Sequence, residues 1–484
     1  MNIQFTVDNG NPSEKLQGQR PINILLVGNF SGQQLGRAEG NNPEAGFYIF
    51  PVDPLDPDKA IGRVNPRAGI LVGDEHIELS FACLDDFHPD ELYRQQSVFQ
   101  VMHELKQALG DPARAEQASR VCSQLLGNPV SESSTPAEQG PAAPGNSPPE
   151  TSSDMFSRLL GQTPGASTPV RAATQRLLEQ AVGADVEPDN SRDTGHFIRE
   201  INTRCEAAMR ELLRSPEFRE LEANWRSLQW LGEQIEFGED TILWLVDVGS
   251  ANPAAWPSGL DRAITGRLAG ETVDLVISLH EFSDSSDSLA RLHDLMMAGA
   301  SLHAPVLAAA DPRLAGVPGL RTDPRWPAAI DASDVDNCSN KEWKSLRRDP
   351  AATGLGLGFP RILLRQPYGR KSDPVEAFEF EELETNPDQE AFFWGNPAIV
   401  LTVLWLGQLC EPGHSLQVPD LPMVMYDDGS GQAIKPPSEV YISDSAAEKL
   451  MASGITPIIG QRGHTGVRVS SLQSIASPPT PLRN

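Results

Sequence analysis

The first 127 residues alternate between apolar runs with strand spacing and apolar stripes with helix spacing. Residues 22–27 are apolar almost throughout, which predicts a strand at the centre of a sheet. Residues 48–52 and a hairpin of residues 69–72 and 76–81 are predicted to extend that sheet. A helix is predicted to begin at Pro89 and to carry an apolar stripe at Leu92, Phe99, Met102, Leu105 and Leu109. This pattern predicts a small α/β domain over residues 1–127.

A polar segment follows at residues 128–153, NPVSESSTPAEQGPAAPGNSPPETSS, which contains no aromatic residue. Such a composition buries too little apolar surface to offset the entropy of ordering, so we predict a disordered linker. Residues 154–193 are predicted to form short helices. The first carries a one-sided apolar patch at Met155, Phe156, Leu159 and Leu160. The patch either docks on the body of the protein or is recognised by another protein.

The second half begins with two amphipathic helices. The first is predicted at residues 194–214, with Phe197, Ile201, Cys205, Met209 and Leu212 on one face. Ser215 and Pro216 suit the N-cap and first position of the next helix, which contains Trp225.

Strands at 241–248, 273–279 and 304–310 then alternate with helices at 260–268 and 288–302. This alternation predicts a mostly parallel sheet covered by helices, in a larger α/β domain over residues 194–476 with a loose tail at 477–484. An apolar helix is predicted at 398–409.

Both ends of the chain show strand alternation that we place outside the compact domains. The alternating apolar positions are Ile3, Phe5, Val7, Val467, Val469 and Leu472. Strands with unpaired edges can add to the sheet of a neighbouring molecule. These residues are therefore predicted to form assembly strands.

The charge of the chain argues against several partners. Its 66 acidic and 39 basic residues give a net charge of −27, whereas nucleic acids and anionic membranes favour clustered Lys and Arg. The five cysteines lie far apart, and the longest apolar run, near Ala398, is too short to span a bilayer. We therefore predict a cytoplasmic protein with no nucleic-acid partner and no membrane insertion.

No motif predicts catalysis, a cofactor or a metal. Gly354, Gly356 and Gly358 lack the spacing of a phosphate-binding loop and indicate a turn and close backbone packing instead. The spacing of His280, His293 and His303 does not match a metal site, so ordinary hydrogen-bonded histidines are expected. The carboxylates of Glu376, Glu379, Glu381, Glu382 and Glu384 are too alike to single out an acid and a base, and are interpreted as a solvated or partner-facing surface.

Several motifs resemble the contractile sheath of type VI secretion systems. The sequences SPEFRELEANWRSLQWL, FPRILLRQPYG and FFWGN are similar to the large sheath subunit. The residues that carry this resemblance are Trp225, Arg226, Pro360, Arg361, Arg365, Pro367, Tyr368, Gly369, Trp394, Gly395 and Asn396. The first 127 residues resemble the small subunit in the strand followed by Asn29, Phe30, Ser31 and Gly32, and in the segment from Asp85 to Pro89.

The resemblance implies that small and large subunits, usually separate chains, are fused here. A sheath protomer would polymerise into a helical tube around an inner tube on a baseplate and contract to drive that inner tube outward. The patch at Met155, Phe156, Leu159 and Leu160 would then be a handle for an AAA+ unfoldase. Two alternatives stay open: an accessory or cap protein that binds the sheath without polymerising, and an α/β enzyme that uses the same fold.

Overall fold

A computed structural model describes residues 20–32, 48–72, 75–126, 191–238, 240–249, 272–317, 329–335, 340–411, 413–461 and 463–482. Within these ranges the main feature is a seven-stranded sheet, in the order β16-β9-β7-β6-β1-β5-β2. Its strands are β1 (Ile22–Gly28), β2 (Tyr48–Val52), β5 (Thr241–Asp247), β6 (Leu275–Phe282), β7 (Val306–Ala310), β9 (Leu355–Phe359) and β16 (Thr456–Pro457). All neighbouring pairs are parallel except β2 with β5, which confirms the predicted mostly parallel α/β fold.

Strand β1 lies between β5 and β6, so the first part of the chain supplies an inner strand of the sheet. Ile22 pairs with Thr241 at the start of the β5 ladder, and Ile24 pairs with Leu275 on the other side. Side chains alternate across the strand: Ile24 and Leu26 join one hydrophobic core, and Leu25 and Val27 the other. Burial on both faces explains the continuous apolar run and confirms the prediction for residues 22–27.

Helices cover both faces of the sheet. The described helices are α1 (Pro57–Val64), α2 (Pro89–Gln95), α3 (Ser97–Gly110), α4 (Ala115–Leu126), α5 (Ser191–Arg214), α6 (Pro216–Gln234), α7 (Ser286–Leu302), α8 (Lys341–Leu346), α9 (Ala398–Cys410) and α10 (Asp444–Ala452). Helices α3, α5, α6 and α9 pack into one core, whereas α7 and α10 pack into the other. The predicted helix at 260–268 lies outside the described residues.

Two predictions for the first part of the chain need correction. Strands β3 (Arg67–Val72) and β4 (Glu75–Ser80) form the expected hairpin, but it is a separate two-stranded sheet and does not extend the seven-stranded one. The helix beginning at Pro89 ends at Gln95, and α3 starts after Gln96, whose backbone is extended. The residues of the predicted apolar stripe are nevertheless buried.

Short strands complete the described structure. They are β8 (Ala329–Ile330), β10 (Ile362–Leu363), β11 (Trp394–Gly395), β12 (Gln417–Val418), β13 (Val424–Asp427), β14 (Gln432–Lys435), β15 (Tyr441–Ile442), β17 (Ile459–Gly460) and β18 (Val467–Arg468). Strand β18 pairs with β12 and β17 of the same chain, and Val467 and Val469 are buried. The expectation that this strand lies outside the compact domain was therefore wrong. None of the helices in the described ranges has the length and apolar composition needed to cross a membrane.

Candidate functional site

A buried network of charged side chains brings together the motif residues of α6 and of the loop after β10. Arg365 donates from Nε to Glu222 Oε1 at 3.0 Å, and from Nη1 and Nη2 to the two oxygens of Glu382 at 2.7 and 3.1 Å. One turn along α6, Arg226 donates to the same Glu222 oxygen at 2.6 Å. Two guanidinium groups thus neutralise two carboxylates, and both carboxylates are almost fully buried.

Tyr368 closes this network. Its backbone N–H donates to Glu382 at 2.8 Å, and its hydroxyl accepts a hydrogen bond from Arg226 at 2.9 Å. The Arg365 guanidinium lies 4.0 Å from the centre of the Tyr368 ring and 4.3 Å from that of Phe393. These aromatic faces stabilise the cation in a place that water does not reach.

Protonation in the network is fixed by its charges. Burial opposes ionisation of Glu222, but Arg365 and Arg226 outweigh it, so the pKa of Glu222 lies below its ordinary value. Burial also opposes the charge on Arg365, yet Glu222 and Glu382 hold its pKa well above the usual range. Burial raises the pKa of Tyr368. A group that cannot change protonation near neutral pH is suited to holding a structure and unsuited to proton transfer.

A second ion cluster surrounds Arg361, directly after the cis peptide bond between Phe359 and Pro360. Arg361 donates two hydrogen bonds to Glu390, at 3.2 and 2.8 Å, and one to the buried Glu439 at 2.8 Å.

Trp394 lies beside this cluster, with its ring centre 5.7 Å from the Arg361 guanidinium. Its indole N–H donates to the Gln389 carbonyl at 2.8 Å. Buried Lys435 donates to the Gln389 side chain at 2.9 Å, and burial holds the pKa of Lys435 well below its usual range.

The remaining motif residues shape the turns around these clusters. A Cβ added at Gly395 would overlap the buried Leu364 side chain, whereas one at Gly369 would meet the movable carboxylate of the exposed Glu381. The Asn396 side chain accepts a hydrogen bond from the Ala398 N–H at 2.9 Å at the start of α9. The carbonyl of Pro367 accepts a hydrogen bond from the Ser372 hydroxyl.

Trp225 joins α6 to the first part of the chain. Its indole N–H donates to the Phe30 carbonyl at 3.1 Å, and the two rings meet edge to face at 5.1 Å between centres. The Asp247 carboxylate at the end of β5 accepts hydrogen bonds from the N–H groups of Phe30 at 2.9 Å and Ser31 at 3.1 Å. The residues whose sequence resembles a small subunit are therefore fixed directly to those that resemble a large one.

The acidic segment at 376–384 is not uniformly solvated. Glu379 is exposed and pairs with Arg370 at 2.8 Å, as expected for a surface carboxylate. Glu382 is buried against Arg365, which corrects its interpretation as part of a solvated or partner-facing surface. The segment also binds α2, because the Asp90 carboxylate accepts the Ala377 N–H at 2.7 Å. Sequence reasoning missed Glu222, Glu382, Glu390 and Glu439 as members of the two clusters.

Other candidate sites have simple structural roles. Gly356 and Gly358 lie in buried strand β9, so the predicted turn is wrong for these two residues. An added Cβ would come 3.0 Å from the side chains of Leu307 and Leu401, so both residues are closely packed. His280 lies 3.1 Å from the Ser278 hydroxyl, and burial with the nearby Arg291 lowers its pKa to about 4. Within the described ranges, no group of three or more His, Cys, Asp or Glu residues is arranged to hold a metal ion.

The structure describes only some of the residues predicted to form the assembly strands and the unfoldase patch. Ile3, Phe5 and Val7, and the patch at Met155, Phe156, Leu159 and Leu160, lie outside the described residues. Val467 pairs within the chain's own sheet, Val469 is buried beside it, and Leu472 is partly buried against the same core. A role for either set in assembly or unfoldase recognition stays a prediction.

Comparison with known proteins identifies sheath relatives. Residues 263–476 match the VipB family, described as EvpB/VC_A0108, tail sheath N-terminal domain. The chain is also 24% identical over 371 residues to the type VI secretion system sheath protein TssC1 of Pseudomonas aeruginosa. That alignment covers 69% of this chain and 73% of the relative. Both similarities are to sheath proteins.

Proposed function

We propose that this chain is a protomer of a type VI contractile sheath, which polymerises into a helical tube around an inner tube and contracts to propel it. The observation that carries this proposal is the similarity to a sheath protein along 69% of the chain. A sheath protomer needs no active site. It needs a rigid body that survives the change between two packings of neighbouring molecules.

The charged clusters supply such rigidity. Arg365, Glu222 and Glu382 connect α6 to the loop after β10 and to the acidic segment through short bonds in a buried place. Each bond to a charged group in such a place is strong and directional. The clusters therefore fix the relative positions of elements far apart in sequence, which suits a molecule that transmits force.

We further propose that the chain combines the small and large sheath subunits. In support, β1 from the first 127 residues lies between β5 and β6 of the second part, and Trp225 binds the Phe30 carbonyl. The contact is therefore a shared sheet and a shared core. Proposed partners are further copies of this chain, an inner tube, a baseplate and an AAA+ unfoldase.

Electron microscopy of the purified full chain in negative stain tests the polymerisation. We expect tubules with a regular helical repeat. If the chain stays a monodisperse small particle both alone and with a purified inner-tube protein, the protomer proposal is wrong and an accessory or cap protein is favoured. Adding a purified inner-tube protein distinguishes a chain that needs this template from one that does not polymerise.

A further inference from the structure

A cavity of about 540 Å³ opens at the carboxyl ends of strands β6 and β7, beside α6 and the start of α9. Leu279 and Glu281 of β6, together with Ala309 of β7, form its floor. The register between β6 and β7 shifts within this region, between Ile277 and Glu281. The carboxyl ends of parallel strands are where α/β sheets bind ligands, and the volume suits a small molecule or one inserted side chain.

Three arginines line this cavity, and each keeps a buried N–H group without an acceptor among the described residues. The atoms are Arg214 Nε, Arg219 Nη2 and Arg361 Nε. A buried donor left unpaired costs about 1 to 3 kcal/mol, so native structures retain few of them. All three donors belong to side chains that line one cavity, which favours an occupant that accepts hydrogen bonds.

Two of these arginines approach the same residue. Arg361 binds the Glu390 carboxylate, and Arg219 donates to the Glu390 backbone carbonyl and lies 4.0 Å from the Glu390 carboxylate. Burial and the neighbouring arginines nevertheless lower the pKa of Arg219. A second anionic group near Arg219 would offset this effect.

The other lining residues limit which anion fits. Four carboxylates also line the cavity, on Glu220, Glu281, Asp388 and Glu390. A doubly charged phosphate would be repelled by them more strongly than a singly charged carboxylate. The rings of Phe393 and Trp394, with Pro397, add an apolar wall suited to the methylene groups of an acidic side chain or a short aliphatic acid.

We propose that this cavity binds a carboxylate, held by Arg219 and Arg214 and packed against Trp394. The carboxylate comes either from a free aliphatic acid or from an acidic side chain of a second copy of this chain, of which each copy has 66. Only the second source depends on the proposed sheath assembly.

Calorimetric titration of the full chain with glutarate, and separately with inorganic phosphate, tests the first source. We expect glutarate to bind with a dissociation constant in the millimolar range and phosphate to bind more weakly. Arg219→Gln should weaken glutarate binding about tenfold or more, because a hydrogen bond to a charged group is lost. Arg204→Gln is the matched control, since Arg204 is equally buried, also pairs with a carboxylate (Glu200 on α5, at 2.8 Å) and does not line the cavity.

Assembly assays of the same variants test the second source. If glutarate does not bind, but Arg219→Gln alone abolishes self-association, the carboxylate belongs to a second copy. If glutarate does not bind and both variants assemble normally, the proposal is wrong. Tighter binding of phosphate than of glutarate would also overturn it. Circular dichroism checks folding, and Arg214→Gln replaces Arg219→Gln if the latter does not fold. A wild-type chain that never assembles but binds glutarate would refute the sheath proposal and leave the site intact.

Discussion

Replacing Arg365 by Met tests whether the buried network holds the body together. Met has a similar length and keeps packing against the Tyr368 and Phe393 rings, so the change removes charge more than volume. Glu222 retains its bond to Arg226 at 2.6 Å, but Glu382 loses both of its bonds to a cation. An uncompensated carboxylate would remain in the interior.

The unpaired Glu382 carboxylate determines how much stability the Arg365→Met variant loses. Removing one partner of a buried pair destabilises a protein by about 3 to 5 kcal/mol. Adding Glu382→Gln should recover part of the loss, because a neutral amide still accepts the Tyr368 N–H, which lies 2.8 Å away in the native chain. The exposed pair Arg370–Glu379, also at 2.8 Å, offers a control: Arg370→Met should cost less than about 1 kcal/mol.

Urea unfolding of unassembled chain, followed by tryptophan fluorescence, measures these differences. With an m-value of about 3 kcal/mol/M, Arg365→Met should lower the unfolding midpoint by about 1 to 1.7 M, and Arg370→Met by less than about 0.3 M. Equal shifts for the two variants would refute a network that depends on burial. So would a double variant that is less stable than Arg365→Met.

The same variant has a predictable pH dependence. In the native chain the pKa of Glu222 is lowered, so its ionised form adds stability above the unfolded pKa, and this stability is lost as the pH falls through the folded pKa. Without Arg365 the Glu222 carboxylate protonates more readily, because Arg365 is the largest contribution that lowers its pKa. The stability difference between native chain and variant should therefore narrow as the pH falls below about 4.5.

Three further predictions concern assembly. Deleting residues 1–8 should abolish polymerisation in sedimentation assays while the melting temperature of the monomer stays nearly unchanged, since these residues are predicted to pair with a neighbour. Replacing Phe156 and Leu159 by Ser should leave tubules intact but slow their disassembly by the unfoldase. Cutting the linker at a protease site engineered near Ala142 should leave two fragments that co-migrate on gel filtration, because β1 pairs with strands on both sides.

For each of these three predictions, one experimental result would contradict it. A large drop in melting temperature on deletion would place residues 1–8 inside their own domain. Failure of the Phe156 and Leu159 variant to assemble would make the patch part of the body. Separation of the cut fragments at micromolar concentration would show that the linker holds together a weak contact.

The strands and helices that the sequence predicted correctly are those whose own residues determine their structure, without reference to distant parts of the chain. A run without polar interruption predicts β1 because both of its faces are buried. Pro89 and Pro216 mark helix starts because a first-turn residue needs no N–H partner. The Ser215 side chain, however, donates to the Leu212 carbonyl at 2.8 Å and does not cap the helix that it precedes.

The predictions that were wrong depend on contacts between residues that are distant in sequence. Hairpin β3–β4 buries alternate residues such as Ala68, Ile70 and Val72, and that pattern fits packing on helices α5 and α6 as well as joining a sheet. The same ambiguity affected Val467, whose alternation suits pairing within a chain or between chains. Nothing local distinguishes Glu382 from its acidic neighbours, because its burial depends on Arg365, 17 residues away, and on Glu222 of α6.

Helix α6 connects the buried network to the carboxylate cavity. Glu222 and Arg226 face the network, whereas Arg219 and Ala223 line the cavity, so the two regions share consecutive turns of one helix. The charge of Glu382 also favours the charged form of Arg219, whereas that of Arg365 disfavours it. Removing Arg365 would therefore leave Glu382 free to compensate Arg219, and an external carboxylate would gain less by binding there. We therefore expect Arg365→Met, although Arg365 does not line the cavity, to weaken carboxylate binding there as well as to destabilise the chain.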